Sequence, residues 1–212
     1  MPSGADGSWH IVERALIRAG GAAFLMVWFI AGIAPAMAHP HVFITAGATF
    51  LFAGDKIAAM RVEWLFDDVF SDTVIQDHDA NHDGHFDKKE IADIEAHAFT
   101  AVKDFHYFTY LWVAGKMIEP IHVRDFSARQ ANGLVTYSFV VPLPEPVDPR
   151  AAKVQAELYD ETYFVQVDLD KPHPVRFTGT AHGCQGKITK DAKRRYYGGV
   201  IVPDQITVVC GG

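Results

Sequence analysis

Beyond residue 38 the chain is dominated by a period of two. Met60, Val62, Trp64 and Phe66 alternate with Arg61, Glu63 and Asp67, and Val135, Tyr137, Phe139 and Val141 with Thr136 and Ser138. Val154, Ala156 and Leu158 alternate with Lys153, Gln155 and Glu157, and Tyr163, Val165, Val167 and Leu169 with Gln166 and Asp168. Successive side chains of a strand point to opposite faces, so each run predicts a strand with one buried face. Gly54-Asp55, Gly115-Lys116 and Asn132-Gly133 lie between such runs, where hairpin turns belong. Consecutive hairpins predict antiparallel sheet rather than βαβ units. Pro142-Leu-Pro-Glu-Pro-Val-Asp-Pro149 reads as a stiff connector with no strand partner.

The period changes between Asp68 and Asp104. Ile91, Ile94, Ala98, Ala101 or Val102, and Phe105 recur at three-to-four spacing, the stripe of an amphipathic helix. The fold class expected is therefore α+β: one antiparallel, β-rich, sandwich-like domain over 39–212, with a helix–loop–helix inserted at about 68–105.

The first residues follow another logic. Arg14 and Arg18 precede the apolar run Ala19–Ile33, which is followed by Pro35 and the small-residue site Ala36-Met37-Ala38. A basic start, a short apolar stretch and an A-x-A site describe a secretory signal peptide over 1–38. The run is fifteen residues long, short for the roughly twenty of a membrane span. Pro35 breaks the helix where a peptidase needs extended chain; an uncleaved anchor is the alternative. The expected location is the periplasm, with no membrane span after cleavage.

Composition narrows the classes further. With 212 residues, 49% hydrophobic, the chain can bury a proper core, and 21% charged residues exclude the disordered class. Nineteen basic residues against 26 acidic give a net charge of −7, the wrong sign for a protein that binds nucleic acid by displacing counterions. Cys184 and Cys210 are the only cysteines, too few for a thiolate zinc cluster. An oxidising compartment favours their disulfide, with two buried thiols as the alternative. Lys187 to Arg195 is a short basic run, ordinarily a solvated face and otherwise a docking patch for acidic partners or lipid heads.

The strongest chemical signal is Asp79-Ala-Asn81-His-Asp83-Gly84-His85-Phe86-Asp87-Lys-Lys-Glu90, which fits D-x-[DN]-x-[DN]-G-x5-E at all twelve positions. Calcium takes six to eight oxygens. Asp79, Asn81 and Asp83 would offer side-chain oxygens and Gly84 would turn the backbone. His85 would give its carbonyl, Asp87 would ligate directly or through water, and Glu90 would close the sphere with both oxygens. Phe86 would anchor the loop. The pattern resembles an EF-hand; an Asp/Asn/Gly turn without metal is the alternative. One loop without a partner hand points to a weak structural Ca2+ clamp rather than a sensor.

Ten of the eleven histidines follow residue 38. Cleavage would make His39 the new N-terminus, followed by Pro40 and His41. A terminal amine with two imidazoles can hold Ni2+, Co2+, Zn2+ or Cu2+. Pro40 has no amide proton and blocks the square-planar backbone mode. Solvent-exposed terminal histidines are the alternative. His78, His82 and His85 crowd the loop, whereas His97, His106 and His122 read as hydrogen-bonded structural residues.

His-Pro-His at the end of a signal peptide, Trp64-x-Phe66-Asp67, the Asp-x-Asn-x-Asp-Gly loop and Tyr159-Asp160-x-x-Tyr163-Phe164 together resemble an uncharacterised bacterial periplasmic family. That family is usually described as a periplasmic component of an ABC-type transport system or as a domain of unknown function. Its members tend to accompany nickel, cobalt or zinc transporters. The resemblance implies transition-metal handling at His39, His41, Asp67 and Asp160, with an inner-membrane metal transporter as partner. Aspartate as third ligand favours nickel, cobalt or zinc over copper(I).

The function expected is thus an exported metal-binding accessory protein rather than an enzyme. No nucleophile elbow, H-E-x-x-H or phosphate loop occurs, and Asp67 and Asp68, adjacent on a strand, would face opposite ways. Copper oxidation at the terminus and metal-assisted hydrolysis at Asp67 are the enzymatic alternatives. A calcium-stabilised envelope protein without a transition-metal role is the non-enzymatic one.

Overall fold

A computed structural model describes residues 40–181 and 183–211. The expected signal peptide, His39 and His182 lie outside the described residues.

Two sheets share one core. The first has the order β5 (Arg124–Ala131), β6 (Leu134–Val147), β2 (Lys56–Phe66), β1 (Val42–Ala53), β8 (Val165–Leu169), with β9 (Val175–Thr178) also on β1; the second has the order β10 (Cys184–Lys190), β11 (Asp204–Cys210), β7 (Val154–Leu158), β3 (Thr109–Val113), β4 (Lys116–Met117). In the first, β1, β2, β5 and β6 form two hairpins joined by an antiparallel β2–β6 pairing. In the second, β3, β4, β7, β10 and β11 are antiparallel throughout. The inward residues include those the alternation marks at Met60, Val62, Phe139, Val141, Val154 and Ala156, with others from runs it does not mark. Phe50, Met60, Val62, Phe139 and Val141 of the first sheet join Leu111, Val154, Ala156 and Ile206 of the second in one buried cluster.

The turns follow their residues. Asn132 and Gly133 both have positive φ, 55° and 76°, as a type I′ hairpin requires and as Asn-Gly readily adopts. The β3–β4 turn sits one residue earlier than expected, on Ala114 and Gly115, and Lys116 already belongs to β4.

Three expectations are corrected. Two pairings are parallel: β8 (Val165–Leu169) and β9 (Val175–Thr178) run one after the other along the free edge of β1. Hairpin logic cannot anticipate strands that return from more than 110 residues away. The proline-rich stretch is not free connector, since β6 runs through it to Val147. Pro142 lies opposite Ala59 and Val147 opposite Ile57, with a register shift between them that absorbs the residues unable to donate to a ladder. Tyr163 is not in a strand; its φ of 56° puts it in the turn that leads into β8.

The insert holds two helices joined by a loop, but the second helix ends before the expected stripe does. Helix α1 spans Asp68–His78 and α2 Lys88–His97, and a 3-10 segment, Phe99–Phe108, leads into β3. Asp67 caps α1 by accepting from the Phe70 amide. Buried Ser71 ties α1 to the sheet: its Oγ accepts from Val135 N at 3.0 Å. Ile94 is fully buried, whereas Phe105, at the end of the apolar stripe, is exposed.

Candidate functional site

The loop from Asp79 to Glu90 joins the two helices and is held by its own side chains. Asp79 ends α1 and is 3% exposed. Its Oδ2 accepts from Gly84 N at 3.1 Å, across the turn that Gly84 makes with φ of 80°. Its Oδ1 is buried and finds no partner among the described residues. Asn81 Oδ1 accepts from Asp83 N, and Asp83 Oδ1 from His85 N, each at 2.8 Å. These are side-chain-closed turns that project oxygens at alternate residues.

Glu90 joins the two ends of the loop. Its Oε1 accepts from Ala80 N at 3.0 Å and its Oε2 from Asp87 N at 2.8 Å, and the residue is buried. Asp87 answers by accepting from the Lys89 and Glu90 amides, which completes a capping box on α2. Those two amides, Glu90 first, hold the Asp87 carboxyl below its usual range. Phe86 packs against the core, as an anchor should. One motif thus both starts a helix and positions carboxylates.

Among the described residues, no group of three or more His, Cys, Asp or Glu stands in a geometry that could hold a metal ion. The loop carboxylates face backbone amides instead. A carboxylate oxygen has two lone pairs, so an amide bond does not prevent it from ligating a cation as well. Asp79 Oδ1 differs, because it has no partner among the described residues.

Asp93 on α2 lies beyond the loop and clamps it. His78 Nδ1 lies 2.7 Å and His97 Nδ1 2.8 Å from the Asp93 carboxylate. The hydrogen bond to His78 is the main reason the Asp93 carboxyl sits below its usual range. His78 is therefore engaged across the helices, while His82 and His85 are exposed. His106 lies against Tyr110, with ring centres 5.4 Å apart; His122 is exposed and belongs to no buried network.

Of the residues expected to hold a transition ion, His41, Asp67 and Asp160 lie around one end of β1, and His39 is outside the described residues. His41 N donates to Phe164 O at 2.8 Å, and the exposed His41 ring lies 5.0 Å from that of Phe164. Asp67 accepts from Phe43 N with one oxygen and Phe70 N with the other. Asp160 is 2% exposed and accepts from the Thr162 amide and hydroxyl and from Val165 N. Both aspartates thus fix backbone where β1, α1 and β8 begin.

Cys184 and Cys210 face each other in the β10–β11 register and form a disulfide. The basic run near them is largely exposed, at Lys187, Lys190, Lys193 and Arg195, and Arg194 is the one that turns inward. Arg194 donates to Glu157 at 3.1 Å, pairs with Asp191, and lies 4.0 Å above the Trp112 ring. Lys190 pairs with Asp204. No helix among the described residues is long and apolar enough to cross a membrane.

A further feature is not legible from motifs: an apolar cavity of about 420 Å³ on the inner face of the first sheet, roofed by the insert. Its walls come from β1, β2, β6, α1, the 3-10 segment and the 160–165 turn, so no local pattern announces it.

Among known proteins, an uncharacterised 15.5 kDa protein encoded in the trpE 3′ region of Spirochaeta aurantia is 34% identical over 132 residues, covering 61% of this chain and 93% of the relative. Residues 24–197 match the family model described as "Protein of unknown function (DUF1007)", and the chain belongs to that family.

Proposed function

We propose that the protein is an exported, non-enzymatic calcium-binding protein of the cell envelope, with the ion held by Asp79, Asn81, Asp83, the His85 carbonyl, Asp87 and Glu90. The observation that carries this reading is Asp79 Oδ1, a carboxylate oxygen buried without a partner among the described residues, at the first position of a loop that matches the calcium pattern throughout. An unpaired buried carboxylate oxygen costs free energy, and a hard divalent cation is the partner such an oxygen accepts best. Export is supported by the disulfide, since such bonds persist in oxidising compartments.

Transition-metal delivery to an inner-membrane transporter is the narrower reading. Its support is the placement of His41, Asp67 and Asp160 around the same end of β1, each through a backbone contact. Among the described residues, no buried oxygen of Asp67 or Asp160 stands without a partner as Asp79 Oδ1 does, and this is why calcium is the reading preferred.

The test is calorimetric titration of processed protein freed of metal. One calcium per chain is expected, with affinity of about 10⁻⁴–10⁻³ M and a rise in Tm as the ion binds. Glu90→Gln and Asp79→Asn should each weaken binding by more than about tenfold while leaving the β-sheet spectrum intact. Absence of calcium heat, or equal affinity in both variants, would overturn the reading. Parallel titration with Ni2+, Co2+, Zn2+ and Cu2+ decides the narrower one.

A further inference from the structure

The cavity under the insert has side-chain walls that offer a ligand hydrocarbon and nothing else. Only four of the wall side chains carry polar atoms, those of Trp64, Tyr137, Asp160 and Thr162. Trp64 Nε1 and Tyr137 Oη are buried in the protein with essentially no accessible surface, so neither opens onto the cavity. Asp160 is buried too, and its oxygens accept from the Thr162 amide and hydroxyl and from Val165 N. The Thr162 hydroxyl is engaged in turn, donating to Asp160 and accepting from Phe164 N at 3.3 Å. No lysine or arginine lines the cavity.

The apolar stripe of the insert leads to the same place. Ile94 is fully buried in the core, but the stripe runs on through Ala98, Val102 and Phe105, all of which line the cavity. Phe105 and Phe164 are half-exposed, so the apolar wall continues to the surface of the molecule. Side chains that face a space rather than one another lack contacts that a hydrocarbon would restore. A volume of about 420 Å³ lies within the ordinary size of small-molecule sites, and apolar cavities take apolar guests in preference to water. An oxygen or a charge carried into this one would leave water and find no side-chain partner. We infer that the cavity binds an uncharged hydrocarbon group, with any polar end of the molecule that carries it left in solvent. This site is separate from the calcium loop and does not depend on it.

The test titrates the full processed protein with 2-methylnaphthalene, 2-ethylnaphthalene, 2-acetylnaphthalene and 2-naphthoate. The ethyl compound should bind saturably, one per chain, and about fourfold tighter than the methyl compound, the gain from one buried methylene. The ketone has a similar shape, but its carbonyl gives up water without a donor in return. It should bind about fivefold or more below the ethyl compound, and naphthoate more weakly still. Val102→Trp fills the cavity and should weaken the ethyl compound by about tenfold or more. Ala98→Leu fills it in part with a smaller change and should weaken the same compound, which keeps the test decisive if the tryptophan variant does not fold. Lack of saturable binding of the ethyl compound overturns the proposal. So does ketone or naphthoate binding as tight as that of the ethyl compound, or undiminished binding in the folded filled variants. Ligand-free protein that sediments as a dimer, is split by Phe105→Ser and binds none of the four compounds would give the cavity to a second copy of the chain instead.

Discussion

Glu157 has no exposed surface, and its two oxygens stand in different situations. Oε1 accepts from Arg194 and from Gln205 at 2.8 Å, whereas Oε2 is buried without a partner among the described residues. Burial outweighs these two donors and raises the carboxyl above its ordinary 4.5. A raised folded-state value means the native protein holds the proton more tightly than the unfolded chain. The stabilising contribution is therefore complete below about 4.5 and lost as pH rises through the folded value. Glu157→Gln cannot titrate there. The stability of wild type relative to this variant should accordingly shrink between pH 4 and pH 7, as read from urea midpoints; a constant or growing difference would contradict the burial argument. The same residue shows what a sequence can and cannot disclose. Alternation places Glu157 opposite Ala156 and Leu158, on the face expected to meet water. That face is instead covered by the 191–205 segment, with Arg194 brought over from a run that reads locally as solvated basic surface. Only the long-range β7–β11 pairing makes it a buried ion pair.

At the scale of elements, short-range chemistry was legible and long-range return was not. The hairpins at Asn132-Gly133 and Gly54-Asp55, the two helices and the Asp79–Glu90 loop each depend on residues within a dozen positions, and they form where their turn residues and capping groups lie. The parallel edge of β1 and the extension of β6 through its prolines depend on partners far along the chain. The loop also shows two roles sharing one motif: Asp87 and Glu90 make a capping box that would serve α2 even without an ion, so the pattern marks the helix start as firmly as the cation. The β10–β11 hairpin yields a separate expectation. Its disulfide joins residues 26 apart at the open end of the hairpin. Removing that cross-link frees the unfolded chain, with a loss of about 3–4 kcal/mol on the loop-entropy relation. The double variant Cys184→Ser, Cys210→Ser should lower the urea midpoint accordingly. A change below about 1 kcal/mol would place the stabilisation elsewhere, in β7 and the Arg194 pair.

Over the whole molecule, the insert is both the seat of the loop and the roof of the cavity. Helix α1 contributes Phe70 to the cavity wall, and the segment following α2 contributes Ala98, Phe99, Val102 and Phe105. The two helices are joined by the Asp79–Glu90 loop and bridged beside it by Asp93 between His78 and His97. An ion gathered by the loop would restrain the angle between these helices, and with it the width of the roof, while the sheet floor of Trp64 and Tyr137 stays fixed by its ladders. Calcium should therefore slow amide hydrogen exchange across α1, α2 and the Phe99–Phe108 segment while leaving β2 and β6 unchanged. Glu90→Gln should abolish that protection, because it removes the carboxylate that joins the two ends of the loop. Exchange measured with and without calcium reads the insert and the sheet together. Protection that reaches the Phe99–Phe108 segment and vanishes in Glu90→Gln would make the insert a calcium-set roof over the cavity. Protection confined to the loop would leave it a local clamp on α1 and α2, with the cavity held open by the sheet and the 3-10 segment alone.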